Sequence, residues 1–265
     1  MNDGQDTRRL ALITGASGGI GYELALLFAK DGYDLVLVAR SAEKLSALAQ
    51  RLQHDHGVQV RRIVKDLAAP GAPAEIHAEL AAASVHVDVL VNNAGAGLLG
   101  KFADLDMDGD VGMLQLNVVA PTLLTRLFLP PMLERGSGRI LNVASTAAFQ
   151  PGPLMAVYYA TKAYLLSLSE ALANELAGTG VTVTALCPGP TETGFASHAG
   201  TEKSRLFTGP TMDAKTVARI GYAALLKGKP VVIPGLRNRM LAFGTRLGPR
   251  KVVTQIARSM QESKG

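Results

Sequence analysis

Three polar side chains have the types and the spacing that proton transfer requires. Tyr158 and Lys162 are four residues apart in a stretch predicted to be helical (157–177), so a phenol and an ammonium group share one helix face. Ser145 precedes the tyrosine by 13 residues and follows a predicted strand over 139–143. The spacing Y-x-x-x-K is common by chance and, alone, describes a surface pair more often than a reactive one. Its meaning therefore depends on the other motifs in the chain.

A glycine-rich segment joins the first predicted strand to the first predicted helix. Its sequence is Thr14-Gly15-Ala16-Ser17-Gly18-Gly19-Ile20-Gly21. Glycine permits positive φ and close approach of the backbone, and a helix N-terminus offers free N–H groups and a positive dipole end to an anion. The spacing G-x-x-x-G-x-G differs from the general dinucleotide fingerprint G-x-G-x-x-G. The segment predicts a phosphate-binding turn, with a tight connection that binds no ligand as the alternative.

The end of the second predicted strand bears on the choice of dinucleotide. An acidic residue at this point would bind the ribose 2′-hydroxyl of NAD. In this chain Ala39 is followed by Arg40, and a guanidinium suits a 2′-phosphate that a carboxylate would repel. Lys44 could assist from the next helix. The sequence favours NADP(H) over NAD(H), with a merely solvated Arg40 as the alternative.

Short apolar runs alternate with helical stretches along most of the chain. We predict seven strands, over 10–14, 34–39, 58–64, 87–91, 139–143, 181–186 and 231–233. We predict helices over 20–30, 42–56, 72–83 and 157–177, and two helical pieces between the fourth and fifth strands, the second over 111–134. This alternation is typical of βαβ units, and strands without polar alternation suit a parallel sheet covered on both faces. The expected fold class is α/β, a single doubly wound (Rossmann-type) domain over 10–235 after a flexible N-terminus at 1–9.

Residues 188–210 interrupt the pattern. They are rich in Gly, Pro, Ser and Thr and show no clear periodicity. They follow the carboxyl end of a strand, where open α/β sheets bind ligands. We predict a mobile lid over a site, with a surface loop of no functional role as the alternative.

Several motifs together resemble the short-chain dehydrogenase/reductase superfamily in order and spacing, over about residues 10–195. They are the turn at 14–21, Asp66, Asn92-Asn93-Ala94-Gly95, Asn117, Ser145, Tyr158 with Lys162, and Pro188-Gly189 with Thr193. The resemblance implies a seven-stranded parallel sheet with helices on both faces. It also implies an NAD(P)-dependent enzyme that interconverts carbonyls and alcohols, in which the cofactor carries the hydride.

The resemblance further implies a role for each matched residue. Tyr158 would be the acid/base, Lys162 would lower its pKa and bind the nicotinamide ribose, and Ser145 would hold the substrate oxygen. Asn117 would position a water that links the lysine to solvent. Asp66 would contact the adenine. The implied cofactor-binding residues are Gly15, Ser17, Gly19, Ile20, Gly21, Arg40, Asp66, Asn93, Gly95, Tyr158, Lys162, Pro188, Gly189 and Thr193.

The composition argues against several other classes of protein. With 265 residues, 48% hydrophobic and 18% charged, the chain is too apolar to be disordered. A single cysteine, Cys187, excludes an intramolecular disulfide, no Cys/His spacing indicates a metal site, and a cytoplasmic location is expected. No uninterrupted apolar run reaches about 18 residues, so we expect no membrane-spanning helix.

Basic charge is concentrated in residues 236–265, where seven Arg and Lys residues face Glu262 alone. Apolar residues recur between them, so we predict a basic amphipathic C-terminal extension of the same domain. It could cover a sheet edge, contact an acidic carrier protein or rest on a membrane as a peripheral protein, and a solvated helix face is the alternative. Nucleic acid is not expected as a partner, because the rest of the chain is nearly neutral.

The extension should also affect assembly. We expect it to obstruct the tetramer contact of the resembled family, which leaves a homodimer through the helices near 111–134 and 157–177. A tetramer is the alternative.

The residues near the predicted site are mostly apolar, among them Leu98, Leu99, Phe149, Met155 and Phe195. They predict a small-molecule substrate, an apolar ketone or aldehyde or its secondary alcohol. The alternatives are a 3-oxoacyl thioester and a dinucleotide sensor without turnover.

Overall fold

The protein is described by a computed structural model that covers residues 8–202, 204–206 and 211–262. The predicted flexible N-terminus at 1–9 therefore lies outside the described residues except for its last two. The predicted lid lacks 203 and 207–210, and the predicted extension lacks 263–265.

The described strands are β1 (Leu10–Thr14), β2 (Asp34–Ala39), β3 (Val60–Val64), β4 (Val89–Asn92), β5 (Gly138–Val143), β6 (Val181–Leu186), β7 (Thr191–Glu192), β8 (Met212–Asp213) and β9 (Val231–Val232). Seven of them form one parallel sheet in the order β3-β2-β1-β4-β5-β6-β9, and β7 pairs with β8. The predicted doubly wound α/β fold is confirmed.

The described helices are α1 (Gly19–Lys30), α2 (Ala42–His56), α3 (Ala72–Ala82), α4 (Met107–Leu114), α5 (Ala120–Glu134), α6 (Ala156–Glu175), α7 (Phe195–Ala199), α8 (Ala214–Leu226), α9 (Leu236–Leu247) and α10 (Arg250–Gln261). The stretch predicted as one helix over 111–134 begins earlier, at Met107, and contains a π-helical turn, Gln115–Val119. The predicted amphipathic extension consists of two helices, because Gly248 and Pro249 interrupt it.

Both faces of the sheet are covered, which explains why its strands lack polar alternation. Ile13 of β1 packs in a cluster with Phe28 of α1 and Tyr222 of α8. The neighbouring Leu12 points to the other face and packs with residues of α3 and α5. Successive residues of one strand thus enter two separate cores.

The order of the strands creates a crevice at the carboxyl edge of the sheet. β1 pairs with β2 on one side and with β4 on the other, so the connections that follow these strands diverge. Such a switch point is where doubly wound sheets bind ligands. The glycine-rich turn, the end of β2 and the segment after β4 all meet there.

One helical run is long and apolar enough to cross a membrane by length and composition. It comprises α4, the π-helical turn and α5, has 28 residues and reaches a mean hydropathy of 1.3. In the fold, Leu124, Phe128 and Met132 on its inner side are buried against the sheet. This is the packing of a core helix.

Candidate active site

The glycine-rich turn is held against the end of β4 by Asn93. The Nδ2 of Asn93 donates to the carbonyl oxygens of Thr14 (2.9 Å) and Gly15 (3.2 Å). Gly15 has φ +65°, and a methyl group there would lie 2.7 Å from the same Nδ2 atom. Glycine is therefore required by both the backbone angle and the space. The side-chain amide of Asn93, which the resemblance implies as a cofactor-binding residue, positions the turn.

The N-terminus of α1 carries no side-chain cap and no acidic residue in its first turn. Ser41 caps α2, Asp106 caps α4 and Asp213 caps α8, whereas α3, α6, α9 and α10 are uncapped like α1 but do not begin at the switch point of the sheet. The N–H groups at the start of α1 are left for an outside acceptor, and an anion is the acceptor that the helix dipole favours. A dinucleotide pyrophosphate fits this turn.

Arg40 and Asp66 lie at the same edge, after neighbouring strands. Ala39 of β2 pairs with Val64 of β3, which brings the two following segments together. Both side chains are exposed, and Asp66 accepts a hydrogen bond from the N–H of Ala68 at 3.0 Å. Within the described part of the chain, no carboxylate forms an ion pair with Arg40.

Ser145 lies where β5 ends, and its side chain faces Tyr158. Its Oγ accepts from the N–H of Ala147 at 3.1 Å, which begins a short 3₁₀ turn, Thr146–Phe149. Burial raises the pKa of Tyr158, and a hydrogen bond with the Ser145 side chain opposes that rise. The two hydroxyl groups are thus neighbours, and the Ser145 hydroxyl itself donates to the carbonyl oxygen of Pro188 at 3.5 Å.

Lys162 is almost fully buried beside them. Its Nζ donates to the carbonyl oxygen of Val143 at 2.9 Å and lies 5.8 Å from the centroid of the Tyr158 ring. Burial lowers the pKa of Lys162 to about 8. The resemblance implies that Lys162 lowers the pKa of Tyr158, but the pKa of Tyr158 is raised, because burial, with a smaller contribution from Tyr159, outweighs the hydrogen bond with Ser145.

Asn117 and Gly95 complete this side of the site. Asn117 lies in the π-helical turn, a feature frequent at functional sites, and its amide exchanges hydrogen bonds with the backbone of Ala96 at 3.0 and 2.8 Å. A methyl group on Gly95 would lie 3.2 Å from the Nζ of Lys162 and 3.3 Å from the Oδ1 of Asn117. Glycine leaves room for both.

The segment after β6 crosses from the glycine-rich turn to Tyr158. A methyl group on Gly19 would lie 3.0 Å from the Cγ2 of Thr193, so this part of the predicted lid covers the start of α1. Two residues later, the Phe195 ring lies 5.2 Å from the Tyr158 ring. At the base of the segment, Pro188 accepts from the N–H of Thr146 at 2.8 Å.

The space around Tyr158 is lined by apolar side chains. A cluster joins the tyrosine to residues from α4, the 3₁₀ turn, α6, α7 and the segment after β4. Its members include Met113, Ala147, Met155, Tyr159, Ala199, Leu98, Leu99 and Phe195. Four of the five apolar residues predicted near the site, Leu98, Leu99, Met155 and Phe195, belong to this cluster, while Phe149 packs in another.

The sequence analysis missed two sets of contacts made by asparagine side chains. Behind the site, the Nδ2 of Asn92 donates to Asn142 at 2.9 Å, and Asn142 donates to Ser169 at 2.9 Å. At the base of the lid, a methyl group on Gly189 would lie 2.6 Å from the side chain of Asn238. The tandem asparagines at the end of β4 were visible in the sequence, but no local pattern indicates their partners.

Comparison with known proteins identifies the family. The short chain dehydrogenase family matches residues 9–204. The chain belongs to this family. A short chain dehydrogenase of Pseudocercospora fijiensis is 37% identical over 191 residues, which cover 71% of this chain and 62% of that protein. The match thus spans less than two thirds of that relative's length.

Solved structures of other short-chain dehydrogenases share the fold. One, from Sphingobium yanoikuyae in complex with NADPH, has a TM-score of 0.81 and 36% identity, with coverage of 91% of this chain and 94% of the other. The bulky-bulky ketone specific alcohol dehydrogenase of Comamonas testosteroni has a TM-score of 0.77 and 32% identity, with coverage of 90% and 92%. Short-chain dehydrogenases are oxidoreductases that act on CH–OH and carbonyl groups, so the predicted enzyme class is confirmed at the level of the family.

Proposed function

We propose that the chain is an NADP(H)-dependent oxidoreductase that acts on an apolar ketone or aldehyde, or on the corresponding secondary alcohol. One observation carries this proposal. The hydroxyl groups of Ser145 and Tyr158 meet beside the buried amine of Lys162, at the edge of the sheet where α1 begins uncapped. A dinucleotide sensor without turnover would not need these three side chains together.

The roles of the residues follow from their positions. The bound dinucleotide supplies or accepts the hydride. Tyr158 donates its proton to the substrate oxygen during reduction and accepts it back during oxidation. Ser145 donates a hydrogen bond to that oxygen and stabilises the developing negative charge. The ammonium group of Lys162 stabilises the phenolate of Tyr158. Asn117 orients the backbone beside that lysine.

The preference for NADP(H) rests on Arg40. Among the described residues no carboxylate forms an ion pair with Arg40, whose guanidinium follows β2 near the turn that would hold the pyrophosphate. A guanidinium forms strong bidentate hydrogen bonds with a phosphate. The Sphingobium enzyme, similar over most of its length, was solved with NADPH.

The apolar cluster around Tyr158 supports the substrate class. A charged or sugar-like substrate would lose hydration there without gaining polar partners. The Comamonas relative is described as specific for bulky-bulky ketones, which agrees with the apolar side chains that surround Tyr158. We place the enzyme in the cytoplasm, where its single buried cysteine would stay reduced.

The same proposal includes a homodimer. An apolar surface runs along the outer side of α4 and α5 and reaches Tyr164 of α6. Its exposed members are Met107, Val111, Leu114, Leu123, Leu133 and Tyr164. Light scattering that shows a compact tetramer would contradict this assembly.

The test of the function uses two neighbouring tyrosines. NADPH oxidation is measured against a panel of aryl-alkyl ketones, aliphatic aldehydes and a 3-oxoacyl thioester. Tyr158→Phe should lower kcat by roughly 10²–10⁴-fold while the affinity for NADPH is kept, because only the proton donor is lost. Tyr159→Phe is the matched control and should keep kcat; only its KM for ketone should rise, because this change removes the hydrogen bond from Gln261 and leaves the proton donor in place. Tight NADPH binding without turnover on the whole panel would indicate a sensor instead.

A further inference from the structure

Helix α9 exposes a continuous apolar stripe. Leu236, Met240, Phe243 and Leu247 are spaced by four, three and four residues, so they follow one side of the helix. Their side chains are 71%, 66%, 61% and 75% exposed. Four large apolar residues at this exposure on a single helix are unusual for a surface that faces only water.

The opposite side of α9 attaches the helix to the protein. Ala242 is buried, Asn238 packs on Gly189, and the Nδ2 of Asn238 donates to the carbonyl oxygen of Pro234 at 2.8 Å. The helix also packs against the 3₁₀ turn that follows Ser145. The stripe therefore points away from the body of the protein while its helix stays fixed.

All the charged residues within α9 and α10 are basic, and Arg258 of α10 pairs with Glu262 just beyond that helix. Between Leu236 and Gln261 there are six basic residues and no acidic one. The basic residues are Arg237, Arg239, Arg246, Arg250, Lys251 and Arg258. An apolar stripe flanked by cations matches a surface that has negative charge above a hydrocarbon layer.

A second copy of the chain fits this surface poorly. In a twofold contact the same patch meets itself, so arginines would face arginines with no carboxylate between them. One exposed face of a three-turn helix also falls short of the about 800 Å² per partner that a standard stable interface buries. A membrane needs neither a complementary groove nor a wide patch, since the helix only has to lie flat.

We propose that α9 docks the protein on a membrane surface rich in anionic phospholipid, with the four apolar side chains of the stripe inserted at the headgroup boundary. If the proposed function also holds, this orientation brings the 3₁₀ turn that follows Ser145 close to the lipid, from which an apolar carbonyl could enter.

The test is sedimentation of the full chain with vesicles of phosphatidylcholine, with and without phosphatidylglycerol. The protein should bind the anionic vesicles, and high salt should weaken the binding. Phe243→Glu should lower the partition coefficient by roughly tenfold or more, because it removes one inserted ring and adds a negative charge. Phe102→Glu is the matched control, since Phe102 is 67% exposed but lies away from α9, and it should bind as the wild type does.

Several outcomes would overturn the proposal. One is the absence of binding to anionic vesicles, and another is an equal loss of binding in both variants. A third is a change in molar mass, measured by light scattering, in Phe243→Glu alone, because that change would assign the stripe to a contact with a second copy. Binding to polyglutamate that the same variant weakens equally would assign it to an acidic protein. Vesicle binding does not depend on turnover, so failure of the proposed function would leave this result intact.

Discussion

The side chain of Gln261 donates a hydrogen bond from Nε2 to the Oη of Tyr159 at 2.6 Å, although the two residues are 102 positions apart. Both residues are buried. The contact joins the last residue of α10 to the helix that carries Tyr158. Nearby, the N–H of Leu206 donates to the carbonyl oxygen of Met260 at 2.9 Å. Helix α10 is therefore also bonded to the predicted lid (188–210), which is called the covering segment below.

We expect Gln261→Ala to lower the free energy of unfolding by about 1–3 kcal/mol, because the buried Oη of Tyr159 loses its partner. The same change should raise KM for ketone more than it lowers kcat, since it loosens the covering segment but leaves the proton donor, Tyr158, in place. Urea unfolding and steady-state kinetics measure the two effects. Gln255→Ala, at an exposed position of the same helix, should change neither. Additive effects of Gln261→Ala and Tyr159→Phe would show that the bond contributes nothing.

Arg40→Asp should shift the preference toward NADH. The variant replaces a guanidinium by a carboxylate that repels the 2′-phosphate and accepts from a ribose hydroxyl, so the KM for NADPH should rise by roughly 10–100-fold. Lys30→Asp makes the same charge change at the far end of α1 and should leave the ratio of the two KM values unaltered. An unchanged affinity for NADPH in Arg40→Asp would refute the phosphate role.

The two reaction directions should respond differently to pH. Because the pKa of Tyr158 is raised, its phenol stays protonated at neutral pH and remains ready to donate a proton for reduction. Oxidation needs the phenolate, so its rate should keep rising as pH increases above neutrality. Initial rates in both directions between about pH 6 and 10 check this. An oxidation rate that is highest below pH 7 would be inconsistent with Tyr158 as the base.

Lys162→Met should separate activity from stability. The lysine is buried and its pKa is lowered from 10.5 to about 8, so between these values the unfolded chain binds more protons than the folded one. Raising pH through this window therefore favours the folded wild type, by on the order of 2–3 kcal/mol relative to the methionine variant. Denaturant titrations at both ends of the window measure the difference, with Lys227→Met, an exposed lysine, as the control. Turnover should fall sharply in Lys162→Met alone.

Much of the sheet follows from local sequence. The bounds of β1, β2, β6 and α2 agree with the predictions, because apolar runs of five or six residues between turn signals leave little freedom. Helix α8 was left unassigned between the sixth and seventh strands, although a parallel pair requires a crossover there. The two-residue strands β7 and β8 were also missed, since their pairing depends on contacts and not on any periodicity.

In the candidate site, too, some residues can be predicted from the sequence and others cannot. The residues in tight turns and on one helix face, such as Gly15, Tyr158 and Lys162, can be recognised because backbone geometry restricts their spacing. Asn142 and Gln261 cannot be recognised, since each acts through a partner on a distant element. The direction of the Tyr158 pKa was also beyond the sequence, because it depends on how deeply the fold buries the phenol.

The attachment of α10 beside the site offers an optical reporter of ligand entry. The chain has no tryptophan, and its single cysteine, Cys187, is buried. A thiol introduced on the outer face of α10, for example by Gln255→Cys, would be more accessible to a maleimide dye than the buried Cys187. Helix α10 is hydrogen-bonded to Tyr159 and to the covering segment. When a ketone displaces that segment, the surroundings of a dye on α10 change, and its emission should change with them.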